Sequence, residues 1–166
     1  RNEEAVHDLD LDGDGVVGDT IESVLANDGQ GKGIFKTTSG SYIVDDSTLS
    51  VGDQTNDPTI LIKEVTSRGI TTTSLHNFRY TPTGLISYAE GGGGVFYQDT
   101  RGNWFKDDFN DDGVFQRTNN YNLSQVLNDE AVYDLDLDGD GNIGDTISTV
   151  YMNVPDADAG VEDKSD

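Results

Sequence analysis

Residues 129–147 read DEAVYDLDLDGDGNIGDTI, and residues 3–21 read EEAVHDLDLDGDGVVGDTI. The two stretches lie 126 residues apart and differ at only four of nineteen aligned positions. A match of this length at a fixed offset is the mark of tandem repetition. We therefore expect the chain to hold one full repeat period and the beginning of the next.

The repeat predicts four parts of the chain. Residues 1–9 are expected to end the helix of a preceding repeat, and residues 10–135 to form one full β-rich unit. Residues 136–153 would hold the second acidic loop and the first strand of the next unit. Residues 154–166 are acidic and lack apolar periodicity, which is typical of a linker or tail.

The region between the two loops has the pattern of antiparallel hairpins. Hairpins are predicted over 33–45 and 94–108, with turns at Ser39-Gly40 and Arg101-Gly102. An apolar strand, buried on at least one face, is predicted over 58–66. The remaining β segments are expected at 76–90, with a turn at Pro82 to Gly84, and at 111–118, while residues 91–94 are expected to form a flexible turn.

One short helix is predicted at about 122–133, where apolar residues recur at helical spacing and Asn122 or Ser124 can cap the start. The helix leads directly into the second acidic loop. The β-branched residues that follow each loop favour a strand. The predicted fold class is therefore mainly β, with one short helix feeding an EF-hand-like loop.

Charge restricts the partners of this chain. It has 32 acidic and 10 basic residues, a formal net charge of -22. Such a chain is repelled by nucleic acid and by anionic membrane surfaces. Its acids are suited either to a solvated surface or to divalent cation sites, and their regular spacing in the loops favours cation sites. Because cysteine is absent and only two histidines are present, thiolate and His-based metal sites are excluded.

Alternate aspartates in the repeated loop match the EF-hand pattern in two registers. The first register begins at Asp8 or Asp134. The second begins at Asp10 or Asp136 and places an apolar residue at the eighth position, which favours it. The ligands predicted for calcium are then Asp10, Asp12, Asp14, the backbone C=O of Val16 and Asp19 in the first copy, and Asp136, Asp138, Asp140, the backbone C=O of Asn142 and Asp145 in the second.

A third candidate loop has the same spacing of polar residues. Asp108, Asn110, Asp112 and the backbone C=O of Val114 are its predicted ligands, with Phe115 at the apolar position. The alternative is a polar hairpin turn, because Asn, Asp and Gly favour turns without any metal.

The later hairpins are rich in aromatic residues, which are expected to pack in the core because they alternate along strands. The other possibility is a sugar-stacking platform, which requires Trp104 and Tyr97 to lie exposed on one face. No pair of carboxylates stands out as catalytic. His76 also lacks the neighbours of a catalytic triad, so we expect no enzymatic activity.

The loop in its context resembles a known family. The predicted helix, the loop DLDGDGNIG at 136–144 and the aromatic hairpin from Trp104 to Gly113 are similar to the tryptophan-rich C-terminal repeat domain of large secreted and surface proteins of bacteria, cyanobacteria especially. The resemblance covers about residues 10–145. Dockerins share the loop but place two copies close together, whereas these copies are 126 residues apart.

The resemblance implies an exported, repeated, calcium-dependent structural module without catalytic residues. We therefore expect an extracellular repeat of a surface layer, fibre or adhesin stalk, in which Ca²⁺ stiffens the joint between units. Neighbouring copies of the repeat are the expected partners, with no nucleic acid and no membrane insertion. The alternative function is a carbohydrate-binding module that takes glycans.

Overall fold

The computed structural model describes residues 19–144. This range contains ten strands and one helix, which run β1 (Ile21–Asn27), β2 (Lys32–Thr37), β3 (Tyr42–Asp46), β4 (Thr59–Ile60), β5 (Ile62–Ser67), β6 (Ile70–Leu75), β7 (Gly84–Ser87), β8 (Gly93–Gln98), β9 (Trp104–Phe109), β10 (Phe115–Tyr121) and α1 (Leu123–Tyr133). The predicted class, mainly antiparallel β with one short helix, is confirmed.

The strands form two four-stranded sheets and a separate hairpin. The first sheet has the order β1-β2-β3-β4, the second β10-β9-β8-β7, and β5 pairs with β6. Neighbouring strands in each sheet are also neighbours in sequence, and connections of four or five residues join them, except for the longer segment 47–58 between β3 and β4. The predicted hairpins of β2–β3 and β8–β9 are confirmed, with Gly40 and Gly102 at their turns in the left-handed region at φ 90° and 89°.

The strand predicted over 58–66 is wrong in its extent and burial. It divides at Leu61 into β4, which joins the first sheet, and β5, which pairs with the unpredicted β6. The Leu61 side chain is buried in the core, and its backbone has partners outside the strand, since its N–H donates to the C=O of Tyr42 and its C=O accepts from the N–H of His76. After Ile62, the residues of β5 are exposed on both faces of the strand.

The turn predicted at 91–94 is shorter than expected. Gly91 and Gly92 have positive φ, whereas Gly93 and Gly94 belong to β8. A Cβ atom at Gly92 would lie 2.2 Å from the carbonyl oxygen of Phe109, so the close approach of this turn to β9 requires glycine.

Two main hydrophobic clusters hold the sheets together. One cluster consists of Ile34, Leu61, Phe78, Leu85, Val95, Tyr97 and Phe109. The other lies between the second sheet and α1 and consists of Ile86, Phe96, Trp104, Val126 and Leu137. Trp104 is 4% exposed and Tyr97 is 9% exposed, so these residues belong to the core and the platform of exposed aromatic rings is wrong.

Helix α1 begins as the sequence predicts. The side chain of Asn122 accepts from the backbone N–H of Gln125 at 2.9 Å, and the Gln125 side chain accepts from the Asn122 N–H at 2.9 Å. This capping box satisfies two backbone donors that the first turn leaves without helical partners. The helix buries Val126 and Glu130, which lie on one face four residues apart, and ends at Asp134 in the left-handed conformation with φ 56°.

Candidate metal centre

The loop after α1 is attached to the protein core through Leu137. This side chain is fully buried against Val126 and Trp104. Its carbonyl oxygen accepts a hydrogen bond from Thr83 Oγ1 at 2.8 Å. A Cβ atom at Gly84 would approach that same carbonyl oxygen to 2.7 Å, so the start of β7 lies close against the loop. Because Leu137 lies between Asp136 and Asp138 in the sequence, its burial fixes the positions of both acids.

Glu130 organises the loop from the helix. Its carboxylate is fully buried, and Oε1 accepts from the backbone N–H groups of Leu137 and Asp138 at 3.0 Å each. Oε2 accepts from the N–H of Gly144 at 2.7 Å. One side chain thus holds both the beginning and the end of the loop. A buried carboxylate without such donors would be strongly unfavourable.

Sequence reasoning missed Glu130, because a single acid on a helix usually belongs to a solvated face. A signal was nevertheless present, since Glu4 stands at the equivalent position of the first copy. The hydrophobic positions Val126 and Leu137 place the Glu130 side chain under the loop, and this arrangement depends on tertiary structure.

The aspartates of the loop fold the backbone around themselves. Asp136 accepts from the N–H groups of Gly139 and Gly141 through its two carboxylate oxygens, at 2.8 Å each. Asp138 accepts from the N–H of Asp140 at 2.9 Å. In the same manner, Asp140 accepts from the N–H of Asn142 at 2.7 Å. Each alternate side chain therefore turns inward onto the loop.

Three of these acids form a cluster that can hold a metal ion. Glu130, Asp136 and Asp138 each offer a carboxylate oxygen, and the three oxygens lie within 4.8 Å of one another. Burial raises the pKa of Asp138 to about 6, and the negative charges of Glu130 and Asp140 add to this effect. A divalent cation would relieve this repulsion.

The remaining predicted loop ligands have different placements. Asp140 and Asn142 continue the same loop on its exposed side. Asp19 accepts from Thr38 Oγ1 at 3.1 Å and from the N–H of Ser39 at 3.3 Å, so it holds the β2–β3 turn. The residues Asp10, Asp12, Asp14, Val16 and Asp145 lie outside the described range.

In the third candidate loop, residues 108–114, the acid Asp108 already has partners within the protein. The carboxylate of Asp108 accepts from Tyr88 at 2.6 Å and Asn119 at 2.7 Å, and it pairs with Arg117 at 3.2 Å and Lys106 at 3.4 Å. A cation here would compete with two cationic side chains.

The other members of that loop form a hairpin turn. Asn110 Oδ1 accepts from the backbone N–H groups of Asp112 and Val114 at 3.0 Å each. These contacts agree with the alternative interpretation as a polar turn. We therefore leave Asp108, Asn110, Asp112 and Val114 out of the proposed site.

No protein-family model, curated protein or solved structure matches the chain. Its likeness to the tryptophan-rich repeat family rests on the motifs quoted above and stays a prediction. Among residues 19–144, no helix is long and apolar enough to cross a membrane.

Proposed function

We propose that this chain is a calcium-binding structural repeat of an extracellular surface protein, and that calcium at residues 136–144 fixes the joint between one unit and the next. The observation that carries the proposal is the cluster of Glu130, Asp136 and Asp138, whose oxygens lie within 4.8 Å of one another. Calcium is bound by six to eight hard oxygens at adaptable distances. Magnesium fits less well, because it keeps several of its own water molecules.

The register that begins at Asp136 is the better supported one. Asp136 belongs to the acidic cluster and accepts two backbone N–H groups of the loop. Asp134 instead ends α1 in the left-handed conformation and is exposed. The oxygen of Asp140 and the carbonyl of Asn142 lie further along the same loop, where they can complete the coordination of the ion.

The connection to the next unit is short. Gly144 is held by Glu130, and residues 145–147 repeat residues 19–21. In the described unit Asp19 holds the turn of its own first sheet. The residue that directly follows the anchored end of the loop, Asp145, is therefore the sequence equivalent of Asp19. An ion that stiffens the loop therefore stiffens the joint.

An extracellular setting agrees with this chemistry. A chain without cysteine cannot use disulfides, and bound calcium can replace them as a source of stability. Calcium sites of extracellular modules act at the high calcium concentrations found there. The carbohydrate-binding alternative needed exposed rings at Trp104 and Tyr97, and both rings are buried.

Isothermal titration of chelator-stripped chain tests the proposal. We expect calcium to bind at two sites, one in each copy of the loop, with magnesium binding more weakly. The paired substitutions Asp136→Asn and Asp138→Asn should remove one site and leave the other. A stoichiometry below one, or tighter binding of magnesium than of calcium, would contradict the proposal.

A further inference from the structure

The β5–β6 hairpin projects from the body of the molecule. Apart from one bridge between Ile62 and Val114, β5 and β6 pair only with each other among the described residues. Every residue from 63 to 75 is exposed. A two-stranded hairpin with both faces in water is marginally stable by itself. The β5–β6 hairpin therefore presents an exposed surface that another molecule can cover.

One face of this hairpin is apolar at its centre. Val65 lies opposite Thr72, and Ser67 lies opposite Ile70, so all four residues share a face. Val65 and Ile70 are diagonal neighbours there and are 53% and 69% exposed. Neither side chain is needed for the core of the described unit.

The outer edge of β6 is open. Residues next to a two-residue turn share backbone hydrogen bonds, and bonded and non-bonded pairs then alternate along the hairpin. The N–H groups of Thr71 and Thr73 consequently point away from β5. No strand in the described part of the chain pairs with them. An open edge of this kind readily accepts a strand from another chain.

Arg68 lies at the tip of the hairpin in an unusual backbone conformation. It has φ 53° and precedes Gly69 at φ 78°, in a turn where Asn or Gly would fit with less strain. Within residues 19–144 its side chain makes no hydrogen bond, ion pair or ring contact. The three other arginines of that range each have a neighbour, as Arg79 lies over Tyr80, Arg101 beside Asp99 and Arg117 beside Asp108. Arg68 is therefore the arginine of the described range whose guanidinium is available to carboxylates of another molecule.

We propose that the β5–β6 hairpin docks on a second copy of this chain, with Arg68 pairing with its carboxylates and the β6 edge and Val65 covered. The charge complementarity is local: residues 62–75 carry Lys63 and Arg68 against Glu64, a net charge of +1, whereas the rest of the chain carries -23. Two copies repel each other as a whole, and the basic hairpin is the part that can approach an acidic surface of the second copy. A contact between the hairpin of one copy and a different surface of the next is head-to-tail, and it extends into an array. This contact is separate from the calcium joint.

Sedimentation velocity of the full chain in calcium, over rising protein concentration, tests this contact. Asn accepts the left-handed conformation readily, so Arg68→Asn should keep the hairpin and weaken self-association about tenfold. Thr73→Pro removes an outward N–H without removing a bond to β5, and it should weaken association as well. The matched control is Arg101→Asn, which makes the same charge change at the tip of the β8–β9 hairpin.

Three results would overturn the inference. The first is a wild-type chain that stays monomeric at every concentration. The second is an Arg68→Asn variant that self-associates as strongly as the wild type. The third is an Arg101→Asn control that loses as much self-association as Arg68→Asn. Calcium titration of Arg68→Asn should match the wild type. Sedimentation therefore tests the docking contact, and calcium titration tests the calcium site, independently of each other.

Discussion

Glu130 Oε2 accepts a hydrogen bond from the backbone N–H of Gly144 at 2.7 Å, which ties the buried face of α1 to the far end of the acidic loop. The same carboxylate holds the beginning of the loop through Leu137 and Asp138. One side chain of the helix therefore holds both ends of the loop.

Removing that side chain should destabilise the unit strongly. Glu130→Ala leaves three backbone N–H groups without their acceptor, and we expect the free energy of unfolding to fall by about 3 kcal/mol or more. Asn128→Ala, an exposed change on the same helix, should alter it by less than about 0.5 kcal/mol. Urea denaturation measures both, and a Glu130→Ala variant as stable as the control would refute the anchoring role.

The register of the calcium loop can be tested with two substitutions. Asp136→Asn removes a charge from the proposed site and should lower calcium affinity at that site at least about tenfold. Asp134→Asn keeps the left-handed helix end, which Asn tolerates, and should leave the affinity nearly unchanged. Calorimetric titration of the two variants decides the matter. Equal losses would favour the register that begins at Asp134.

Calcium binding should weaken in acid. Because burial raises the pKa of Asp138 to about 6, this group holds a proton in the calcium-free protein below that pH, and calcium must displace it. Affinity should therefore fall as the pH drops from about 7 to about 5. The stability of the calcium-free unit should rise as the pH falls from about 6 toward the ordinary pKa of an aspartate. Protonation of Asp138 in this range relieves the repulsion between the acids of the folded loop. Titrations at both pH values test this, and equal affinities would contradict it.

The start of α1 provides a check on local structure. Asn122→Ala removes the capping side chain and should cost about 1 kcal/mol of stability. Ser124→Ala changes the other residue that the sequence offered as a cap, and it should have little effect. Thermal unfolding followed by circular dichroism compares the two variants. A larger loss in Ser124→Ala would show that the cap is misassigned.

Local patterns predicted the helix and most hairpins because their signals are local. Asn122 with Gln125, and Gly40 and Gly102 at turns, act within a few residues. The division of the strand at Leu61 was not predictable in this way, because the hydrogen bonds that cause it come from Tyr42 and His76. The aspartates at 136 and 138 were predicted from their spacing. Glu130 was missed because its role depends on Val126 and Leu137 bringing the helix under the loop.

We propose that calcium stiffens the joint between repeats. Residues 1–144 joined to residues 19–166 give two consecutive units, and the sequence across the junction is the natural one as far as residue 147, because residues 145–147 repeat residues 19–21. Without the ion, like charges at about 5 Å repel by about 3 kcal/mol per pair at an effective dielectric constant of about 20, and the loop should open. The matched variant carries Asp138→Ala and Asp140→Ala in the central loop.

Small-angle scattering of this two-repeat protein, with calcium and with chelator, measures the flexibility of the joint. We expect a well-defined maximum dimension in calcium and a broader distribution of distances in chelator. The double variant should show the broad distribution in both conditions while each unit remains folded. If the unsubstituted two-repeat protein has the same dimensions and flexibility with calcium as with chelator, calcium does not stiffen the joint between repeats.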